Sequence, residues 1–142
     1  MRRAVVGRWL WLLVAGVALL GCGRVRTTRE CRRLSLIVEE GRRELDQVTR
    51  PKSPAAYRTA GPLYRKIAEQ LRRAVGPSEL RPTTEEYARS VEAIAPNILA
   101  YADALEANDE KRIEAVWIEV DRASRRERMA SRRLEDQCHG RF

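Results

Sequence analysis

Apolar side chains recur at intervals of three and four residues along most of the chain, and this spacing constrains the fold more than any other feature. An α-helix turns once every 3.6 residues, so such a stripe lies along one helix face and needs a partner surface. A single Phe and an abundance of Ala, Leu, Glu and Arg also favour helix over sheet. In residues 28–48 the stripe consists of Cys31, Leu34, Val38, Gly41, Leu45 and Val48.

Three further stripes predict helices over residues 53–75, 83–105 and 108–139. Their ends coincide with residue types that start or stop helices. These are Ser53-Pro54 at the start of the second helix, Gly76-Pro77 at its stop, a capping-box pattern of Thr83 with Glu86 in the third, and Asn108 or Asp109 at the start of the fourth.

Four helices with short connections predict an all-α fold, an antiparallel up-down-up-down four-helix bundle. Proline removes a backbone hydrogen bond inside a helix, so kinks are expected near Pro62 and Pro96. The predicted organisation is a cleaved signal helix at 1–21, a short polar tether at 22–28 and a helical bundle domain at 29–142.

The amino-terminal segment has three consecutive zones. Met1-Arg2-Arg3 and Arg8 are positive, Trp9 to Leu20 is almost purely apolar, and Gly21-Cys22 follows. The apolar run is about a dozen residues long, whereas a membrane-spanning helix needs about 20 and a signal-peptide core roughly 7–15. The length therefore favours a cleaved signal over a permanent span.

Leu19-Leu20-Gly21-Cys22 resembles the lipobox of bacterial lipoproteins, with Leu20 where Ala or Ser is commoner. This resemblance covers the signal and its boundary, about one-sixth of the chain. It implies that the Cys22 thiol takes a diacylglyceryl group, that a signal peptidase cuts after Gly21, and that the new amine receives a fatty acid such as palmitate. Two or more acyl chains form a stable membrane anchor.

The resemblance also implies an address in the cell envelope. Asp after the lipidated cysteine retains such proteins in the inner membrane, and the residue here is Gly23. The periplasmic face of the outer membrane is therefore expected. Two other interpretations remain open: an ordinary secreted protein, and an uncleaved signal anchor on a basic cytoplasmic-side protein, which the positive charges at Arg24, Arg26 and Arg29 favour.

The cysteine count bears on the same question. Three cysteines normally leave one loose thiol in an exported protein, but lipidation of Cys22 leaves Cys31 and Cys138 as a pair. A disulfide between them persists in the oxidising periplasm. The alternatives are two independent thiols, or a metal site of only three ligands, the two cysteines and His139, which lacks the usual CxxC spacing. We expect the disulfide and no metal.

Arginine dominates the positive charge. The net charge is +8, and Lys52, Lys66 and Lys111 are the only lysines among 28 basic residues. Because the arginines are interleaved with glutamates, an arginine-biased genome explains them as well as phosphate or carboxylate binding does. A cluster near the tether either contacts anionic headgroups or is solvated helix surface; it comprises Arg24, Arg26, Arg29, Arg32 and Arg33.

Residues that carry catalysis are sparse. The single histidine, His139, lies in the tail, and no nucleophile elbow, zinc-protease, P-loop or dinucleotide motif is present. Four tyrosines either line a pocket or pack in the core with their hydroxyls at its edge; they are Tyr57, Tyr64, Tyr87 and Tyr101.

The sequence therefore predicts a non-enzymatic, lipid-anchored envelope protein with a structural or interaction role, no cofactor, an unidentified protein partner and no nucleic acid. The alternative is a binding protein that uses a groove between the proline-kinked helices.

Overall fold

The computed structural model describes the backbone of residues 6–139 and the side chains of residues 26–139. No strand occurs in residues 6–139, so the fold is all-α as predicted. The helices are α1 (Val6–Thr49), α2 (Pro54–Ala74), α3 (Arg81–Glu92), α4 (Ile94–Glu106) and α5 (Glu110–Gln137).

Helix α1 begins far upstream of the predicted start near residue 28, which is a correction. Its backbone is helical from Val6 through the stretch assigned to the signal and tether. The physical reason is that Pro51 is the first proline of the chain, so nothing before it prevents the apolar run and the Arg-rich stretch from joining one helix. The helix ends at Thr49, because the residue before a proline avoids the α region.

Helix α2 follows its local signals closely. The Ser53 hydroxyl accepts a hydrogen bond from the Ala56 N–H at 3.2 Å, and Pro54 is the first helical residue. Pro62, where a kink is expected, lies inside α2, and the backbone stays helical through it. Pro62 is exposed, so its missing hydrogen bond falls on the solvated face of the helix.

The third predicted helix is divided at Ala93 into α3 and α4. Pro96 has no N–H to donate to the Glu92 carbonyl four residues earlier. The Asn97 side chain donates to the adjacent Ala93 carbonyl at 3.0 Å. The predicted capping box is wrong, because α3 begins earlier, at Arg81, and its N-cap has no side-chain hydrogen bond. Thr83 and Glu86 therefore lie inside the helix.

Helix α5 begins as predicted, with the Asp109 carboxylate accepting from the Arg112 N–H at 3.1 Å. Despite its polar composition, the stretch from Ser124 to Arg133 is helical. The predicted C-terminal Gly140 lies outside the described residues.

The helices differ in how many neighbouring helices they contact. Helix α1 packs on α2, while α3 and α4 pack on both α2 and α5. Among the described residues, no Cα atom of α1 lies within 8 Å of a Cα atom of α5. We call the space between these two helices the α1–α5 seam.

Two clusters of buried side chains form the core. The first lies beside Cys31 and Cys138, and the second lies towards the loop between α4 and α5. The first includes Leu34, Ile67, Leu71, Leu80, Tyr87, Val91 and Leu134, and the second consists of Ala60, Ile94, Ile98, Val120 and Ala123.

Candidate functional site

A disulfide joins Cys31 of α1 to Cys138 directly after α5. Their Cα atoms are 5.7 Å apart, both residues are buried, and the bond spans 107 positions of sequence. This is the pairing expected from the cysteine count. Cys22, with its cleavage position after Gly21, lies where no side chain is described.

Glu30 lies beside this disulfide and is almost fully buried, with 6% of its surface exposed. Its Oε1 accepts a hydrogen bond from the Gly76 N–H at 3.1 Å and lies 3.5 Å from the Arg26 Nε, while its buried Oε2 has no hydrogen-bond partner among the described residues. The carboxylate thereby ties α1 to the loop after α2. Sequence reasoning missed this residue, because only the folding back of that loop buries it.

The predicted basic cluster is exposed where its side chains are described. Arg26 pairs with Glu30, whereas Arg29, Arg32 and Arg33 form no ion pair or hydrogen bond with any side chain that the structure describes. Arg24 falls outside the described side chains. The cluster therefore has free guanidinium groups on α1, next to the disulfide.

A recess of about 410 Å³ opens at the disulfide, and His139 is among its lining residues with Glu79 and Thr28. No group of three or more His, Cys, Asp or Glu side chains that could hold a metal occurs among the described residues. The recess therefore offers hydroxyl, carboxylate and imidazole groups for hydrogen bonding.

The α1–α5 seam contains a second recess, of about 280 Å³. Its floor includes Tyr64 of α2 and Tyr87 of α3. Charged side chains of both signs line its two sides, and within residues 26–139 none of them forms an ion pair: Arg42 and Asp46 on α1, and Glu127 and Arg128 on α5.

Both tyrosines on the floor are held in the neutral form. Burial raises the pKa of Tyr87 strongly, and the negative charge of Glu127 adds to this effect while Arg42 opposes it. Burial also raises the pKa of Tyr64, helped by Glu127 and Asp46. The seam thus presents two protonated hydroxyl groups between carboxylates, a surface suited to hydrogen bonding.

This arrangement predicts a loss of stability at alkaline pH. A raised pKa in the folded state means that stability is complete below the ordinary tyrosine pKa of 10.0 and falls as the pH rises beyond it. Between pH 7 and pH 11, Tyr87→Phe should lose less unfolding free energy than the wild type, by about 1 kcal/mol. Urea unfolding at both pH values measures the difference, and parallel losses in the two proteins would contradict the assignment.

The other two tyrosines belong to the core. Tyr57 and Tyr101 pack against the second cluster, with ring centres 5.1 Å apart, and Tyr101 continues to Trp117 at 5.4 Å. Tyr64 and Tyr87 pack against and within the first cluster and also line the seam recess, so these two combine both predicted roles.

Near Pro62, helices α2 and α4 are tightly packed. A Cβ atom built on Gly61 would lie 2.7 Å from Leu99 Cδ2, so α2 and α4 are in close contact there. The recess on the seam lies elsewhere, between α1 and α5. This position could not be read from the proline spacing, because it depends on which helix faces fail to meet.

Among the described residues, no helix combines the length and apolarity needed to cross a bilayer. Comparison with protein-family models, with curated proteins and with solved structures returned no match to this chain.

Proposed function

We propose that this chain is a lipid-anchored protein of the bacterial cell envelope with a non-enzymatic, structural or interaction role. The observation that carries the proposal is the Cys31–Cys138 disulfide. It accounts for two of the three cysteines and suits an oxidising compartment. The remaining cysteine, Cys22, is the one that ends the lipobox-like Leu19-Leu20-Gly21-Cys22.

The proposal includes an antiparallel up-down-up-down bundle in which α3 and α4 together form the third member. Pairs across neighbouring helices support it, because residue numbers fall in one helix as they rise in the other. These pairs are Glu30 with Gly76 and Glu44 with Lys66; Arg72 with Glu92 and Arg58 with Asp103; and Glu86 with Arg133 and Tyr101 with Trp117.

In this proposal the disulfide end of the domain faces the membrane. Cys22 precedes Cys31 by nine residues, so the acyl chains and the disulfide belong to the same end. The free guanidinium groups of Arg29, Arg32 and Arg33 then lie close to the headgroups, where each basic residue contributes about 1 kcal/mol of attraction to anionic lipid. Gly23 supports the outer membrane as the destination.

Intact-mass measurement of the membrane fraction tests the anchor. We expect a chain that starts at Cys22 and carries acyl groups, because only a thiol forms the thioether. Cys22→Ala should remain uncleaved and unacylated. Cys31→Ala is the matched control, since it removes a cysteine outside the lipobox and should be acylated like the wild type.

Other masses would contradict the lipid anchor. A full-length wild-type chain with unmodified Cys22 would establish the uncleaved signal anchor instead. A shortened chain without acyl groups would establish an ordinary secreted protein.

A second candidate function is the binding of a small ligand in the α1–α5 seam. The unpaired charges of both signs beside Tyr64 and Tyr87 favour it. The recess of about 280 Å³ is at the small end of the range for ligand sites. It ranks second for this reason.

A further inference from the structure

A groove runs along the outer side of the contact between α3 and α5. It consists of two adjoining recesses, of about 480 and 300 Å³, which share Arg89, Ser90 and Arg126. On α5 the groove extends from Glu119 to Arg133, which is about 21 Å at 1.5 Å per residue. That length matches about six residues of extended peptide.

The unpaired positive charge of the groove lies at its middle. At one end Arg133 pairs with Glu86, and at the other Arg122 pairs with Glu119 at 2.7 Å. Arg126, which lines both recesses, forms no ion pair or hydrogen bond within the described part of the chain.

Arg89, the second arginine at the middle of the groove, makes only long contacts with Glu85. Its Nε lies 3.4 Å from the Glu85 carbonyl oxygen and 3.9 Å from the Glu85 carboxylate. That carboxylate already accepts from Arg72 at 3.2 Å. Two guanidinium groups at the centre of the groove are therefore available to an anion.

The groove also has an apolar surface. Met129 is 57% exposed beside Arg126, and its unbranched thioether adapts to varied partner side chains. Ala93, Ala123 and Ala130 line the rest and leave room close to the helix backbones. The Ser90 hydroxyl donates to the Tyr87 carbonyl at 2.7 Å, which leaves its lone pairs free to accept from a peptide N–H.

We infer that this groove binds an extended segment of a partner protein in which acidic and apolar residues alternate. Carboxylates on one side of the segment pair with Arg89 and Arg126, and apolar side chains on the other side cover Met129. The arginines at both ends of the groove are paired, so its free positive charge lies at the centre. This suits a short ligand with central negative charge better than a broad anionic membrane surface. This inference names the partner of the proposed interaction role and rests on that role, but it does not depend on lipid attachment.

Fluorescence anisotropy tests the inference with full-length protein purified in a neutral detergent. The probe is a fluorescein-labelled peptide of about ten alternating Glu and Leu residues. We expect Arg126→Glu to weaken binding by at least about tenfold, since it removes a charge-assisted hydrogen bond and adds repulsion. Arg126→Lys should retain most of the affinity.

Arg132→Glu is the matched control, because Arg132 is an exposed residue of α5 that lies outside the groove and has no ion pair. It should bind the peptide like the wild type. Equal urea midpoints for the two Glu variants would establish that both are folded.

Three results would overturn the inference: no binding to the wild type, equal weakening by Arg126→Glu and Arg132→Glu, or weakened binding of phosphatidylglycerol vesicles with unchanged peptide binding. The last would assign the groove to the membrane. Each is separate from a failure of the lipid anchor, which the mass of the chain reports.

Discussion

Loss of the Cys31–Cys138 bond is expected to lower the free energy of unfolding by about 4–5 kcal/mol in the loop-entropy model, and engineered bonds commonly deliver less, about 2–4 kcal/mol. The bond closes 107 positions of sequence, so it restricts the unfolded chain strongly. It is also the covalent link across a seam where α1 and α5 have no Cα atoms within 8 Å among the described residues. Urea unfolding followed by helical circular dichroism measures the loss.

Two variants and a reductant distinguish the stability lost with the disulfide from the stability lost with side-chain packing. Cys31→Ala and the Cys31→Ala, Cys138→Ala double variant should be destabilised to nearly the same extent, because either substitution removes the whole bond. The wild type with dithiothreitol should match them. A double variant that loses twice as much as the single variant, or a loss below about 1 kcal/mol, would contradict a stabilising disulfide.

The second large effect is expected at Leu34. Its side chain is fully buried in the first core cluster, and Leu34→Ala should cost about 2–5 kcal/mol through lost burial and the cavity left behind. Leu36 lies two residues further along the same helix and is 57% exposed. Leu36→Ala should therefore change stability by less than about 0.5 kcal/mol.

This pair is informative because the same substitution is made twice in one helix. Alanine has the higher helix propensity in both variants, so propensity cancels and burial remains. Thermal or urea unfolding of the two variants gives the comparison. Similar losses at Leu34 and Leu36 would show that α1 is buried on a different face from the one described.

Local chemistry made most helix ends predictable. The caps at Ser53 and Asp109 and the stop before Pro51 depend on residues adjacent in sequence, and each is present as expected. The start of α3 was missed, because Leu80 has no capping side chain that a pattern search would recognise. The start of α1 was missed because a change in composition was interpreted as a change in structure.

The candidate sites were less predictable, because they depend on distant faces of the chain. No local pattern marks Glu30 for burial, since its partner Gly76 lies 46 residues away. Similarly, Arg89 and Arg126 lie in one groove only because α3 packs on α5. Their lack of strong ion pairs depends on where Glu86 and Glu119 bind other arginines.

The sequence by itself determined the helical fold class and the pairing of Cys31 with Cys138, while the lipobox-like Leu19-Leu20-Gly21-Cys22 stays a prediction. These follow from spacing, residue type and count, which are properties of the chain before it folds. The tertiary structure decided the α1–α5 seam, the position of Tyr64 and Tyr87 at its recess, and the arginine groove. These depend on which helix faces meet, and that is decided by the packing of side chains far apart in sequence.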